Sequence, residues 1–114
     1  MELVGKKKLT KLKSKNKGNT KLGKAIDQLI DDIEAADWTT PTDIIESRPD
    51  ADLAHNDGFY FFDINVHRTM ILVEFDNDGE ATIVWTGDHD SYERIFKNNK
   101  NTIKKWLRDN EWIS

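Results

Sequence analysis

Between residues 22 and 33, apolar side chains recur at the spacing of an amphipathic helix: Leu22, Ala25, Ile26, Leu29, Ile30 and Ile33. Asp27, Asp31, Asp32 and Glu34 fill the opposite face, so one stripe is set to face a core and the other to face water. Asn19 or Thr20 is suited to cap such a helix. Further on the pattern changes. Phe59–Asn65, Thr69–Asp76 and Ala81–Thr86 are rich in aromatic and β-branched residues and predict three strands. Asn77-Asp78-Gly79 predicts the turn between the last two.

The flanks are less regular. Met1–Gly5 is short, apolar and bounded by glycine, which predicts a first strand. Lys6–Lys17 sets Leu9 and Leu12 on one helical face among lysines, the pattern of a solvated helix or of a flexible arm. Asp37-Trp38-Thr39-Thr40-Pro41 ends the amphipathic helix, and Pro41 suits the first position of a short helical turn reaching Glu46. Residues 47–58 read as loop. Asp88 or Asp90 can cap a final helical region, with Glu93 placed three after Asp90 as a capping box requires. Ile95, Phe96, Ile103, Trp106 and Leu107 carry its apolar face, with a break near Asn98-Asn99. The order predicts an α+β fold: N-terminal strand, two helices, three antiparallel strands, C-terminal helix. Such a sheet is expected to hide one face under the helices and offer the other to a partner. Trp38, Trp85 and Trp106 are expected in the core.

At 114 residues the chain reads as a single domain, 1–114, with material for one modest core. It has no cysteine, which excludes disulfides and thiolate metal sites. No apolar run approaches the ~18 residues of a membrane span, and Met1-Glu2-Leu3-Val4 lacks the apolar core of a signal peptide. An intracellular protein without membrane contact is expected. The net charge of −4 hides a division along the chain: residues 1–24 sum to +8, residues 25–93 to −16, and residues 94–114 to +4. Basic ends of this kind suit nucleic-acid contact, or packing against the acidic middle.

Several motifs fail. Glu74-x-Asp76-x-Asp78-Gly79 imitates the start of a calcium loop, but Trp85 stands where the bidentate glutamate belongs. His55, His67 and His89 lie twelve and twenty-two residues apart, so no pair has metal-site spacing. What remains is Gly87-Asp88-His89-Asp90-Ser91-Tyr92-Glu93, at the hand-over from the last strand to a helix. In one reading Asp88 and Asp90 are caps and His89 is simply exposed. In the other the cluster does chemistry on RNA. Cleavage through a 2′-hydroxyl needs a group to take its proton, a group to protonate the leaving oxygen, and positive charge on the phosphate. Histidine serves as acid or base near neutral pH, and tyrosine can orient the ribose or stack on a base.

Ala36-Asp37-Trp38-Thr39-Thr40-Pro41-Thr42-Asp43-Ile44 resembles the Ala-Asp-Trp-x-x-Pro-x-Asp-Ile stretch of the HigB toxins, members of the RelE/ParE superfamily. Pro49 and Ala51 fit that family's Tyr-Pro-x-Ala pattern, with Arg48 in place of the tyrosine. Phe62-Asp63-Ile64 is similar to its Phe-Asn-Ile strand, and Gly87–Glu93 to its Gly-Thr-His-x-x-Tyr-Asp motif. Residues 36–95 carry the resemblance.

The resemblance implies a RelE/ParE-like fold and a bacterial, cytoplasmic toxin of a type II toxin–antitoxin pair. It implies a nuclease that cuts mRNA on the ribosome without metal or other cofactor, neutralised by a HigA-like helix-turn-helix antitoxin. His89 would then be the general acid or base and Tyr92 the group that orients the ribose or stacks on a base. Arg68, with His67 nearby, would hold the phosphate. Lys6, Lys7, Lys8, Lys11, Lys13, Lys15 and Lys17 would grip ribosomal RNA by charge, and Lys100, Lys104, Lys105 and Arg108 would add to them. His55, in a polar loop, has no comparable assignment. Two arginines of the family's strands are absent: Met70 and Val84 stand in their places. Phosphoryl-transfer chemistry leans on such cations. A scaffold that binds a partner or RNA without cutting is therefore the alternative reading, and ParE-type action on gyrase a third.

Overall fold

In the computed structural model, which describes residues 1–114, the chain runs β1 (Glu2–Val4), α1 (Lys6–Lys15), α2 (Thr20–Glu34), α3 (Pro41–Ser47), β2 (Asp52–His55), β3 (Phe59–Ile64), β4 (His67–Glu74), β5 (Glu80–Asp88), α4 (His89–Phe96) and α5 (Lys100–Asp109). The α+β class is as the periodicity predicts. The sheet order is β1-β5-β4-β3-β2. β2 to β5 pair antiparallel, whereas β1 lies parallel to β5, with Glu2 opposite Glu80, so the sheet is mixed.

The local signals act where they were read, with some choices settled. Asn19 caps α2 by accepting from the Leu22 amide at 3.0 Å. Thr40 and Asp43 form a capping box on α3, with Pro41 at its first position. The lysine-rich stretch is a helix, not an arm, because Leu9 is fully buried against the core. The final helical region is two helices: Lys97 and Asn98 are left-handed, with φ of 53° and 46°, and Asn99 caps α5.

Two expectations fail. Residues 47–58 are not all loop, since β2 forms the sheet edge inside them. Only Ala54 of its four residues is buried, so the strand carries no apolar signature and exists through its ladder with β3. Nor does the sheet keep an open face. Leu22, Ile26, Leu29 and Ile33 of α2 cover one side, together with Leu9 and Ile44. On the other side α4 and α5 set Tyr92, Phe96, Ile103 and Leu107 over Ala54, Phe59, Phe61, Met70 and Val84. Trp38 is in the first core, stacked on Phe62 at 6.4 Å, while Trp85 and Trp106 are only partly buried against the second. No helix is long and apolar enough to cross a membrane.

Phe96 is the hub of the second core, with its ring 5.0 Å from Trp85, 5.3 Å from Phe61 and 5.3 Å from Trp106. Phe96→Ala is expected to cost about 3–5 kcal/mol, from lost transfer energy plus the cavity. The loss will read as a lower denaturant midpoint in an equilibrium melt.

Candidate active site

Two short connections bring the predicted residues together. Asn65, at φ 62°, and Val66 make a two-residue turn between β3 and β4, which sets Asp63 opposite Arg68 and Ile64 opposite His67. The β4–β5 register sets His67 opposite Asp88 and Arg68 opposite Gly87. Asp88 is both the end of β5 and the N-cap of α4, accepting from the Ser91 amide at 2.7 Å; Asp90, the alternative cap, lies in the first turn instead. His89 and Tyr92 are then one helical turn apart, above the strand ends. A Cβ on Gly87 would come within 2.6 Å of the Trp85 ring, so glycine leaves the space that this indole, two residues earlier on β5, occupies.

The result is a cleft of about 640 Å³ whose walls include His67, Arg68, His89 and Tyr92, together with Asp52, Asp63, Glu93 and Asn98. Tyr92 forms its floor and is only 2% exposed. The His89 ring stacks on it at 5.9 Å, and the Arg68 guanidinium lies 4.8 Å from its centroid. Its hydroxyl donates to Asn98 Oδ1 at 3.1 Å. Burial pushes the phenol above its ordinary value of 10.0, while the Arg68 charge pulls the other way. With the ring covered, the hydroxyl rather than the aromatic face is what Tyr92 can offer a ligand.

Arg68 donates from Nε to Asp63 Oδ1 at 2.9 Å, and Asp52 Oδ2 stands 3.8 Å from Nη1. Burial is the largest influence and opposes its charge, but the bond to Asp63 and the neighbouring charges, Asp63 and Asp52 among them, together hold the guanidinium above its usual range. His89 is open to solvent, with Nε2 3.6 Å from Glu93 Oε1. His67 Nδ1 is buried without a partner. Hydrogen bonds from Ser91 keep the Asp88 carboxyl below the ordinary carboxylate range.

None of the seven N-terminal lysines lines this cleft. They ride on and just after α1, where Lys6 pairs with Glu34, Lys13 pairs with Asp27 and Lys8 donates to the Ile83 carbonyl. Lys7, Lys11, Lys15 and Lys17 make no ion pair. Lys8, Lys11 and Lys15 flank a groove against Val84, Trp85 and Thr86. His55 is on β2, its Nδ1 accepting from the Asp57 amide, outside the cleft. Met70 and Val84 are buried under α4 and α5, so arginines there would be driven into an apolar core.

Five cleft residues are not marked by the sequence: Asp52, Asp63, Asn65, Val66 and Asn98. The two-residue turn at Asn65-Val66 is the signal that pairs Asp63 with Arg68. Two adjacent asparagines, residues that tolerate left-handed backbone, mark the helix break that carries Asn98. Asp52 lies on the strand that has no apolar signature. No cluster of three or more His, Asp or Glu side chains is placed to hold a metal ion.

Residues 23–95, well over half of the chain, match the HigB toxin family model, described as the RelE-like toxic component of a toxin–antitoxin system. The span takes in every cleft residue named above except Asn98, and leaves out α1 and α5. No curated protein matches the chain.

Asp88→Ala is expected to fray the first turn of α4 and lower the melting temperature at neutral pH. Because folding depresses this carboxyl, its contribution is complete above the ordinary value of 3.8 and is lost as pH falls through the lower folded value. Melts of the wild type and variant will therefore converge in strong acid.

Proposed function

The chain belongs to the HigB family of RelE-like toxins, and on that premise we propose that it is a ribosome-dependent endoribonuclease that cuts mRNA. The observation that carries this reading is the gathering of His67, Arg68, His89 and Tyr92 in one cleft at the β4, β5 and α4 junction. His89, solvent-exposed at the mouth, exchanges protons with the reacting oxygens. It either takes the proton of the attacking 2′-hydroxyl or gives one to the departing 5′-oxygen. The attack joins the 2′-oxygen to phosphorus and breaks the bond to the 5′-oxygen, leaving a cyclic phosphate. Arg68 faces the charge that grows on the phosphate, His67 stands beside it, and the Tyr92 hydroxyl orients the ribose. Lys6, Lys7, Lys8, Lys11, Lys13, Lys15 and Lys17 supply charge toward ribosomal RNA from α1 and its end. The partner that silences the toxin is an antitoxin of the HigA type, in a bacterial cytoplasm.

A second reading, binding without cleavage, is favoured by one specific observation. Arg68 is already engaged by Asp63 and faced by Asp52, and Glu93 stands beside His89, so a phosphate must compete with carboxylates.

The deciding measurement is mRNA cleavage by the purified protein on translating ribosomes. The nuclease reading expects specific cuts, a fall of about 10²–10⁴-fold with His89→Ala, and relief of growth arrest by the same change or by Tyr92→Phe. Intact mRNA with wild-type protein that still binds ribosomes would establish the binding reading instead. Replacing Lys7, Lys11 and Lys15 with glutamine is expected to flatten the salt dependence of ribosome binding by roughly 0.7–0.9 per lost phosphate contact.

A further inference from the structure

Beyond Phe61 the outer edge of β3 has no strand beside it, because β2 pairs only as far as Asp52 opposite Phe61. The backbone of Asp63 on that bare edge is nevertheless satisfied. Its N–H donates to Asp50 Oδ2 at 2.9 Å, and its carbonyl accepts from Arg48 Nη2 at 3.1 Å. Arg48 Nη2 also donates to Asp50 at 2.8 Å, and Nη1 to Asp32 of α2 at 3.0 Å. The Arg48 side chain is 13% exposed and that of Asp50 25%, so the pair is largely withdrawn from water. Two side chains thus do for Asp63 what a neighbouring strand would do. Buried charge-assisted bonds of this kind are short and directional.

Asp63 is the residue that holds Arg68. Its backbone is pinned by Asp50 and Arg48, and its carboxylate receives Arg68 Nε, whose guanidinium lies over Tyr92. We infer that Arg48 and Asp50 are positioning residues for the cleft: by fixing the backbone of Asp63 they set where the Arg68 guanidinium stands relative to Tyr92. Neither lines the cleft. The consequence for cleavage rests on the nuclease reading above, whereas the placement of Arg68 does not. A displaced guanidinium would leave substrate binding largely intact and misplace the charge meant for the transition state.

Arg68 can be watched directly. The chain has four arginines, Arg48, Arg68, Arg94 and Arg108, so their side-chain Nε–H signals are resolvable in a nitrogen–proton correlation spectrum. In the wild type the Arg68 signal should be shifted by the Tyr92 and Phe61 rings and slow to exchange with water. Asp50→Ala should move it toward the free-arginine position and speed its exchange, as Asp63→Ala does by direct loss of the acceptor. Asp32→Asn provides the contrast. It weakens the Arg48 attachment to α2 without touching Asp63, so it should lower the melting temperature and leave the Arg68 signal in place. If Asp50→Ala does not fold, Arg48→Gln is read the same way. An unmoved Arg68 signal in a folded Asp50→Ala or Arg48→Gln protein overturns the inference. On translating ribosomes, Asp50→Ala should lower kcat by up to about a hundredfold with KM little changed. Failure of wild-type cleavage would remove the nuclease reading while the Arg68 signal still decides the positioning role.

Discussion

Phe59, Tyr60, Phe61 and Phe62 follow one another on β3, point alternately to the two sides of the sheet, and are all buried. That run is the constraint from which the rest of the architecture follows. A strand whose every side chain is large and apolar cannot leave either face to water, so the sheet must be covered twice. α1, α2 and α3 supply one cover, and α4 and α5 the other. The second cover also dictates the character of the strands beneath it. Met70 and Val84 are apolar because Phe96 and its neighbours lie on them. The candidate cleft lies beside that cover, where β4 starts, β5 ends and α4 begins.

Much of this was legible from residue patterns, and the gaps have physical causes. The 3.6-residue stripe of α2, the aromatic and β-branched strands and the Asn77-Asp78-Gly79 turn all lie where they were read, because each makes its own local signal. β2 was missed because an edge strand of four mostly exposed residues is defined by its neighbour's backbone. An open sheet face follows from the order of elements alone, whereas the unbroken apolar run at Phe59–Phe62 requires both faces to be buried. Within the cleft, His89 and Tyr92 announce themselves by motif. Asp63, Asp52 and Asn98 arrive through register, an edge ladder and a helix break, none of which composition displays.

The charge division also acquires a geometry. The two arginines of the acidic middle are each shared between two carboxylates: Arg48 between Asp32 and Asp50, and Arg68 between Asp63 and Asp52. Part of the basic N-terminal segment is spent on the acids of α2 through Lys6–Glu34 and Lys13–Asp27, exposed pairs worth little individually. Packing against the acidic middle and a free basic surface are therefore both present on α1, on different lysines.

The parallel pairing of Glu2–Val4 with Glu80–Thr82 carries a kinetic consequence. β3, β4 and β5 form a meander whose turns close short loops, so their ladders can assemble early from local contacts. β1 precedes β2 to β5 in sequence, yet its only ladder is with β5. It must wait for nearly the whole chain, and it closes the largest loop in the sheet. The parallel edge of the sheet therefore closes after the meander, although Lys6 and Lys13 of α1 can pair with Glu34 and Asp27 of α2 before it does.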